Sequence, residues 1–339
     1  MPSSWPAWAS ALGASLVLGA HVGASSSVEL AAAPSIVRAD GGVVAAVVPG
    51  NRKGRCASIV LWRVGQAPVS IPTIAQCDGD GAGLDAVDEL ALGGQTVAWR
   101  ETNGGNNLEL IVRKATLARP KPRDVSYVEN GGGAAGDPAG DWTGSLVGHG
   151  ALLGYASWTE CDRADAGYAR PCSPDRPDVY AQRLRLVGGR VVGRGPDTVY
   201  PIWTDGHAML VQHADGTLAL IGPTGRVLWR HVALRGLVGA AFQGSQLVTL
   251  TRTALVVWDL RRELPVRAFQ LAPGMRVLED LDGGIAVLGS HGTTRLVRLS
   301  DGRVKTFAHA AHAQLERPGL VFADGRTIRF VPRSGIRFD

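Results

Sequence analysis

Residues 214–230 read ADGTLALIGPTGRVLWR and contain one complete strand, turn, strand unit. Asp215-Gly216 is a turn pair, and the run from Thr217 to Ile221 is rich in residues that favour strands. A second turn follows at Gly222-Pro-Thr-Gly225, after which polar and apolar residues alternate as far as Trp229. The stretch therefore predicts a β-hairpin.

Similar units recur through the C-terminal half of the chain. The same strand of successive units is marked by Leu218, Val256, Leu296 and Ile328, and this spacing is close to the period of a four-stranded repeat. It predicts four units at about 201–234, 235–272, 273–309 and 310–339. Three less regular groups precede them, the third closing with strands at 191–192 and 198–200. An Ala-rich lead-in at 28–34 is predicted to be a first or closing strand.

The repeated unit resembles those of a known fold family. A Gly-x-Leu strand at Gly216, a Thr-Gly turn at Thr224-Gly225 and a strand ending near Trp229 resemble the blades of PQQ-like and WD40-type β-propellers, and Trp258-Asp259 matches the WD dipeptide. The resemblance implies an all-β fold: a single β-propeller over 25–339 with about seven four-stranded blades, six and eight being the alternatives. A pair of β-sandwiches is the structural rival, but the turn rhythm of a sandwich is much shorter than the period seen here.

The N-terminus resembles an export signal. The segment 1–24 carries no Lys, Arg, Asp or Glu, and a small-residue apolar run ends at Val22-Gly23-Ala24. We therefore predict a signal peptide at 1–24, an uncleaved anchor being the alternative. Together with an Ala-, Gly- and Arg-rich composition, this predicts a secreted or periplasmic bacterial protein associated with the cell envelope, with no integral membrane segment after cleavage.

The four cysteines are consistent with an oxidising compartment. They form two couples, Cys56 with Cys77 and Cys161 with Cys172, and the members of each couple lie closer to one another than to the other couple. Pairing within each couple is the simplest of the three connectivities. A metal site is the weaker interpretation, because neither couple has Cys-x-x-Cys spacing.

One acidic segment is a candidate calcium loop. Asp78, Asp80 and Glu89 resemble the first, third and twelfth positions of an EF-hand loop, whereas Ala82 and Asp85 depart from its pattern. We predict Asp78, Asp80, Asp85 and Glu89 as ligands, with a solvated acidic turn as the alternative. No cofactor other than this Ca²⁺ is predicted.

A second candidate metal set contains His309, His312 and Glu316, whose spacing would bring them together on a helix. The segment falls in a predicted connection between blades, so exposed histidines are the favoured interpretation.

The segment 159–177 is the strongest candidate for recognition. It is polar, would be held by Cys161 and Cys172, and has Trp158, Tyr168 and Arg170 as candidate binding residues. A surface loop without a partner is the plain alternative.

The sequence favours a binding protein over an enzyme. It contains no nucleophile elbow, no His-Glu-x-x-His and no phosphate-binding glycine loop. The net charge of +5 is not arranged in a basic stripe with aromatic residues, so no nucleic-acid partner is predicted. We predict a binding or scaffold module for a protein or cell-envelope ligand. The alternative is a Ca²⁺-dependent hydrolase or lyase acting on a glycan, lactone or phosphate ester.

Overall fold

The computed structural model describes residues 26–50, 56–74, 86–104, 108–130, 140–163, 170–174, 179–195, 199–213, 215–231, 236–271, 274–275, 277–290 and 292–338. The predicted signal peptide at 1–24 lies outside these residues. The described chain is almost entirely β, with one short 3-10 helix at Arg333–Gly335. It contains no helix with the length and apolarity that a membrane span requires.

The described strands form seven four-stranded antiparallel sheets, which are the blades of a β-propeller. Blade 1 contains β2 (Ile36–Asp40), β3 (Val43–Val48), β4 (Ser58–Arg63) and β5 (Val69–Pro72). Blade 2 contains β6 (Ala86–Gly93), β7 (Thr96–Asn103), β8 (Leu108–Thr116) and β9 (Arg119–Asn130). Blade 3 contains β10 (Gly140–His149), β11 (Leu152–Glu160), β12 (Val179–Leu186) and β13 (Val191–Gly195). Blade 4 contains β14 (Val199–Thr204), β15 (Met209–His213), β16 (Leu218–Ile221) and β17 (Val227–His231).

Blade 5 contains β18 (Leu237–Gln243), β19 (Gln246–Thr251), β20 (Ala254–Asp259) and β21 (Leu264–Gln270). Blade 6 contains β22 (Val277–Asp282), β23 (Ile285–Ser290), β24 (Thr293–Arg298) and β25 (Val304–Ala308). Blade 7 contains β26 (Ala311–Leu315), β27 (Gly319–Asp324), β28 (Thr327–Pro332) and β1 (Ser26–Glu29). The predicted all-β fold and its count of seven blades are confirmed.

The two ends of the described chain meet in blade 7. Strand β1 pairs antiparallel with β28, so that Val28 lies opposite Ile328. The predicted closing strand is therefore present, at Ser26–Glu29 and not at 28–34. Residues 199 and 200 were wrongly assigned to the third blade, because β14 is the first strand of blade 4. Residue 198 lies outside the described residues.

The apolar core of the described chain is divided among the interfaces between blades. Seven buried clusters each join two neighbouring blades. For example, Trp99 of blade 2 packs with Ile59 and Leu61 of blade 1. Each sheet therefore buries both of its faces, as expected when twisted sheets are arranged in a ring.

The hairpin predicted at 214–230 is confirmed, with β16 and β17 paired from Leu218↔His231 to Ile221↔Val227. Its turn contains Gly225 at a φ of +89°, a conformation that residues with a side chain rarely adopt. A Cβ added to Gly225 would also overlap the carbonyl oxygen of Val192 in blade 3. This turn thus packs directly against the neighbouring sheet.

Replacement of Gly225 by alanine is expected to lower the free energy of unfolding by about 3 kcal/mol, because it combines backbone strain with a steric overlap. Urea unfolding measures this loss. The matched control is Gly188→Ala, whose added Cβ would meet nothing within 4 Å, and which should unfold within about 0.5 kcal/mol of wild type. Equal losses in the two variants would contradict the expectation.

The first strand of each blade surrounds the central channel, and these strands contact one another around the ring. We call the side on which they begin the loop face and the side on which they end the turn face. Each first strand except β2 contains a register shift. Bulges redirect side chains, and Asp88, Glu279 and His312 at these shifts line the channel.

Candidate functional site

Three aromatic side chains form a cluster on the loop face between blades 3 and 4. Trp142 near the start of β10 stacks on Trp158 of β11, with ring centroids 6.3 Å apart and planes 9° from parallel. Tyr200 of β14 meets Trp158 edge-on at 5.3 Å. The rings are partly exposed, and Trp158 Nε1 donates to Glu160 Oε1 at 3.0 Å. The three rings thus form one aromatic surface shared by blades 3 and 4.

The connection between β11 and β12 begins beside this cluster. Cys161 and Cys172 are disulfide-bonded with their Cα atoms 5.0 Å apart, which confirms the predicted pair. Asp162 N–H donates to the Arg170 carbonyl at 2.9 Å, and Cys172 N–H donates to the Asp162 carbonyl at 3.1 Å. Arg170 places its guanidinium 3.7 Å from the centre of the Tyr180 ring. A disulfide, backbone hydrogen bonds and a cation–π contact therefore hold the described part of the connection.

The predicted binding residues Trp158 and Arg170 both lie in this region, whereas Tyr168 lies outside the described residues. The predicted calcium ligands Asp78, Asp80 and Asp85 also lie outside them. Cys56 is disulfide-bonded, and its predicted partner Cys77 is likewise outside the described ranges. Because three of its four predicted ligands lie outside the described residues, the Ca²⁺ loop stays a prediction.

Glu89, the fourth predicted calcium ligand, lies in β6 and lines the central channel. Its Oε1 lies 3.0 Å from Arg100 Nη1, and its Oε2 accepts the Leu146 N–H at 2.8 Å. Arg100 also pairs with Asp88 at 2.6 Å. The carboxylates on this side of the channel therefore have a protein cation as their partner.

The channel contains a cavity of about 640 Å³ lined by first strands of six blades. Its lining is acidic: it contains one arginine, two histidines and five carboxylates, namely Arg38, His149, His312, Asp88, Glu89, Glu279, Asp280 and Glu316. Such a volume is within the range of small-molecule pockets.

Burial shifts the protonation of the groups deep in the channel. Burial raises the pKa of Asp280 to about 7, although the N–H groups of Leu281 and Leu315 oppose the shift. Burial also raises the pKa of Glu279. Burial lowers the pKa of Arg38, against the raising effect of Asp280 and Glu279. An arginine and two carboxyl groups thus influence one another's protonation in this part of the channel.

At the turn face, Asp40, His149 and Glu316 converge from blades 1, 3 and 7, with one ligand atom of each within 4.8 Å of the others. Sequence reasoning missed this set. The sequence pattern relates Glu316 to His309 and His312 but favours exposed histidines in a connection between blades. That prediction is wrong for His312, because Ala311–Leu315 is strand β26 and His312 is partly buried and lines the channel. The available signal was positional: Asp40 and His149 each end a first strand and precede a turn glycine.

The fold and the lining of its channel define this chain as a seven-bladed β-propeller with an acidic centre. No family model matches the chain, and no curated protein matches it. Comparison with solved structures supports the fold. Raptor of Chaetomium thermophilum superposes with a TM-score of 0.53 at 13% identity, over 92% of this chain and 28% of Raptor.

Two further solved structures are similar to this chain in fold. PorZ of Porphyromonas gingivalis, described as an essential bacterial surface component of the type-IX secretion system, superposes with a TM-score of 0.53 at 10% identity. The match covers 92% of this chain and 39% of PorZ. A chain of the mitotic checkpoint complex gives a TM-score of 0.50 at 10% identity, over 91% of this chain and 94% of its own length. The present chain thus spans less than half of Raptor and of PorZ, and identities this low show the fold alone.

Proposed function

We propose that this chain is an exported β-propeller that binds a protein or cell-envelope ligand of a bacterium through the loop face of blade 3. The observation that supports this most is the aromatic cluster of Trp142, Trp158 and Tyr200 beside the disulfide-held connection. Tryptophan, tyrosine and arginine dominate binding energy in protein interfaces. Loops fixed on a rigid scaffold commonly carry recognition.

Export is supported by two features. The Cys161–Cys172 disulfide belongs to a class of bond that persists in oxidising compartments. The uncharged, small-residue leader predicted at 1–24 would direct the chain there. Among the similar structures named above, PorZ is described as a bacterial surface component, which is the setting that we propose here.

We expect a photo-crosslinking amino acid at Thr159, next to Trp158, to form a covalent adduct with a component of the producing cell's envelope fraction. The same amino acid at Arg261, an exposed residue of blade 5, should not form this adduct. Trp158→Ala should reduce the adduct at least tenfold, since loss of an aromatic hot spot costs about 2 kcal/mol or more. Adduct yield on a denaturing gel measures the effect.

The matched control is Trp258→Ala, a partly exposed tryptophan of blade 5 that should leave the adduct unchanged. An adduct that survives both Trp158→Ala and Arg170→Ala, or that forms equally from position 261, would contradict the proposed binding face.

A second candidate function is a metal-dependent hydrolase or lyase acting on a glycan, lactone or phosphate ester. The observation that favours it is the convergence of Asp40, His149 and Glu316 beside the 640 Å³ cavity. Such an activity would depend on these three residues and would be indifferent to Trp158→Ala. The two candidates thus use opposite faces of the ring.

A further inference from the structure

Three side chains from distant parts of the sequence meet at the turn face. Asp40 ends β2, His149 ends β10, and Glu316 directly follows β26. His149 Nδ1 lies 3.7 Å from Asp40 Oδ1. Each residue offers one ligand atom within 4.8 Å of the other two. We refer to Asp40, His149 and Glu316 as the mouth triad.

The backbone orients both carboxylates of the mouth triad. Gly94 N–H and Gly150 N–H donate to Asp40 Oδ2 at 2.5 and 2.6 Å, which leaves Oδ1 directed at His149. Gly41 N–H donates to Glu316 Oε2 at 3.2 Å. In metal sites, the carboxylates that bind the ion are held in the same way by hydrogen bonds from outside the ligand set.

The two carboxylates are buried without a protein cation. Asp40 is 5% exposed and Glu316 is 6% exposed. Within the described part of the chain, no Lys or Arg forms an ion pair with either carboxylate. Arg333 is engaged by Asp282 and donates only to the backbone carbonyl of Glu316, at 3.3 Å.

Buried carboxylates are normally paired or bound to a metal, because an uncompensated charge is costly in the interior. A cation bound between Asp40 and Glu316 would compensate their charge. The side chain of His149 is 36% exposed, which gives an ion access from solvent.

We propose that the mouth triad binds one divalent first-row transition ion of the Zn²⁺ type. An imidazole with two carboxylates suits such ions, whereas Ca²⁺ takes six to eight oxygen ligands. Tetrahedral Zn²⁺ places its ligand atoms roughly 3.3 Å apart, so the triad needs adjustments of no more than about 1.5 Å. Three protein ligands leave a fourth position open. This site is independent of the partner-binding face on blade 3.

The test uses the full mature chain, stripped with chelator and titrated with ZnCl₂, MnCl₂ or CaCl₂ in separate calorimetric experiments. We expect one equivalent of Zn²⁺ to bind and Ca²⁺ to bind at least tenfold more weakly. Glu316→Gln keeps the shape and the acceptor for Gly41 but removes the charge, and it should weaken Zn²⁺ binding at least tenfold. His149→Ala, at a partly exposed position, should do the same.

The matched control is Asp205→Asn. Asp205 also lies at the turn face, and its carboxylate accepts the Gly244 N–H at 3.3 Å, but it is outside the triad. This variant should bind Zn²⁺ as wild type does. The proposal is overturned if folded wild-type protein takes up no Zn²⁺, if Glu316→Gln and His149→Ala both bind as wild type, or if Ca²⁺ binds as tightly as Zn²⁺. Circular dichroism confirms that each variant is folded.

Discussion

Replacement of Arg113 by methionine is expected to lower the free energy of unfolding by about 3–5 kcal/mol, because it leaves a buried carboxylate without its cation. That carboxylate is Glu101, which is 0% exposed. It lies 3.4 Å from Arg113 and accepts the Trp99 indole N–H at 2.7 Å. It also accepts the Ile74 N–H of blade 1 at 3.1 Å, so that one carboxylate connects two blades.

Urea unfolding of wild type and Arg113→Met measures this loss. The double variant that adds Glu101→Gln should recover more than half of it, because removing the second charge relieves the burial penalty. Arg119→Met, at an exposed position in β9, should stay within about 0.5 kcal/mol of wild type. A loss below about 1 kcal/mol in Arg113→Met would show that Glu101 is not charged in the folded protein.

Removal of the closing strand is the second large effect. A chain that begins at Ala31 lacks β1 and also Leu30, which packs with Val28 against Ile328 and Phe330. Burial of one valine and one leucine contributes about 3–6 kcal/mol, so the truncated chain should unfold at correspondingly lower urea. It should also associate, because β28 becomes an open edge. Size-exclusion chromatography detects the association.

Two further experiments test whether the lost stability comes from the pairing of β1 with β28. A synthetic peptide of residues 25–30 should restore part of the lost stability when added in excess. Glu29→Ala removes only an exposed pair with Arg326, so it should change the unfolding free energy by no more than about 1 kcal/mol. If the truncated chain unfolds as wild type does, β1 does not hold the ring closed.

Local chemistry was sufficient to predict many of the individual strands, whereas their arrangement as propeller blades followed from the resemblance of the repeat. The hairpin ending near Trp229 and the strand Gln246–Thr251 were located from turn glycines and alternation alone. The start of blade 4 was misplaced because β14 contains Pro201, and proline weakens the evidence for a strand. Here the proline lies beside a register shift in a first strand, where one edge faces the channel and needs no further partner.

The candidate sites were predictable to different degrees. Trp158 and Arg170 lie next to the cysteine pair in sequence, so their common location followed from a local segment. The mouth triad is different, because Asp40, His149 and Glu316 come from three blades that are far apart in sequence. No periodicity relates such positions. They become neighbours only when seven blades close into a ring and all first strands end on one face.

The pairing of β1 with β28 also determines when the ring can close during synthesis. Val28 pairs with Ile328, which the ribosome adds about 300 residues later. At about 5–20 residues per second, the ribosome needs about 15–60 s to supply the partner. The other six blades have all four of their strands before that moment. Blade 7 is completed by β1, which is synthesised before every other described strand. Folding of this ring is therefore completed only after β28 has been synthesised.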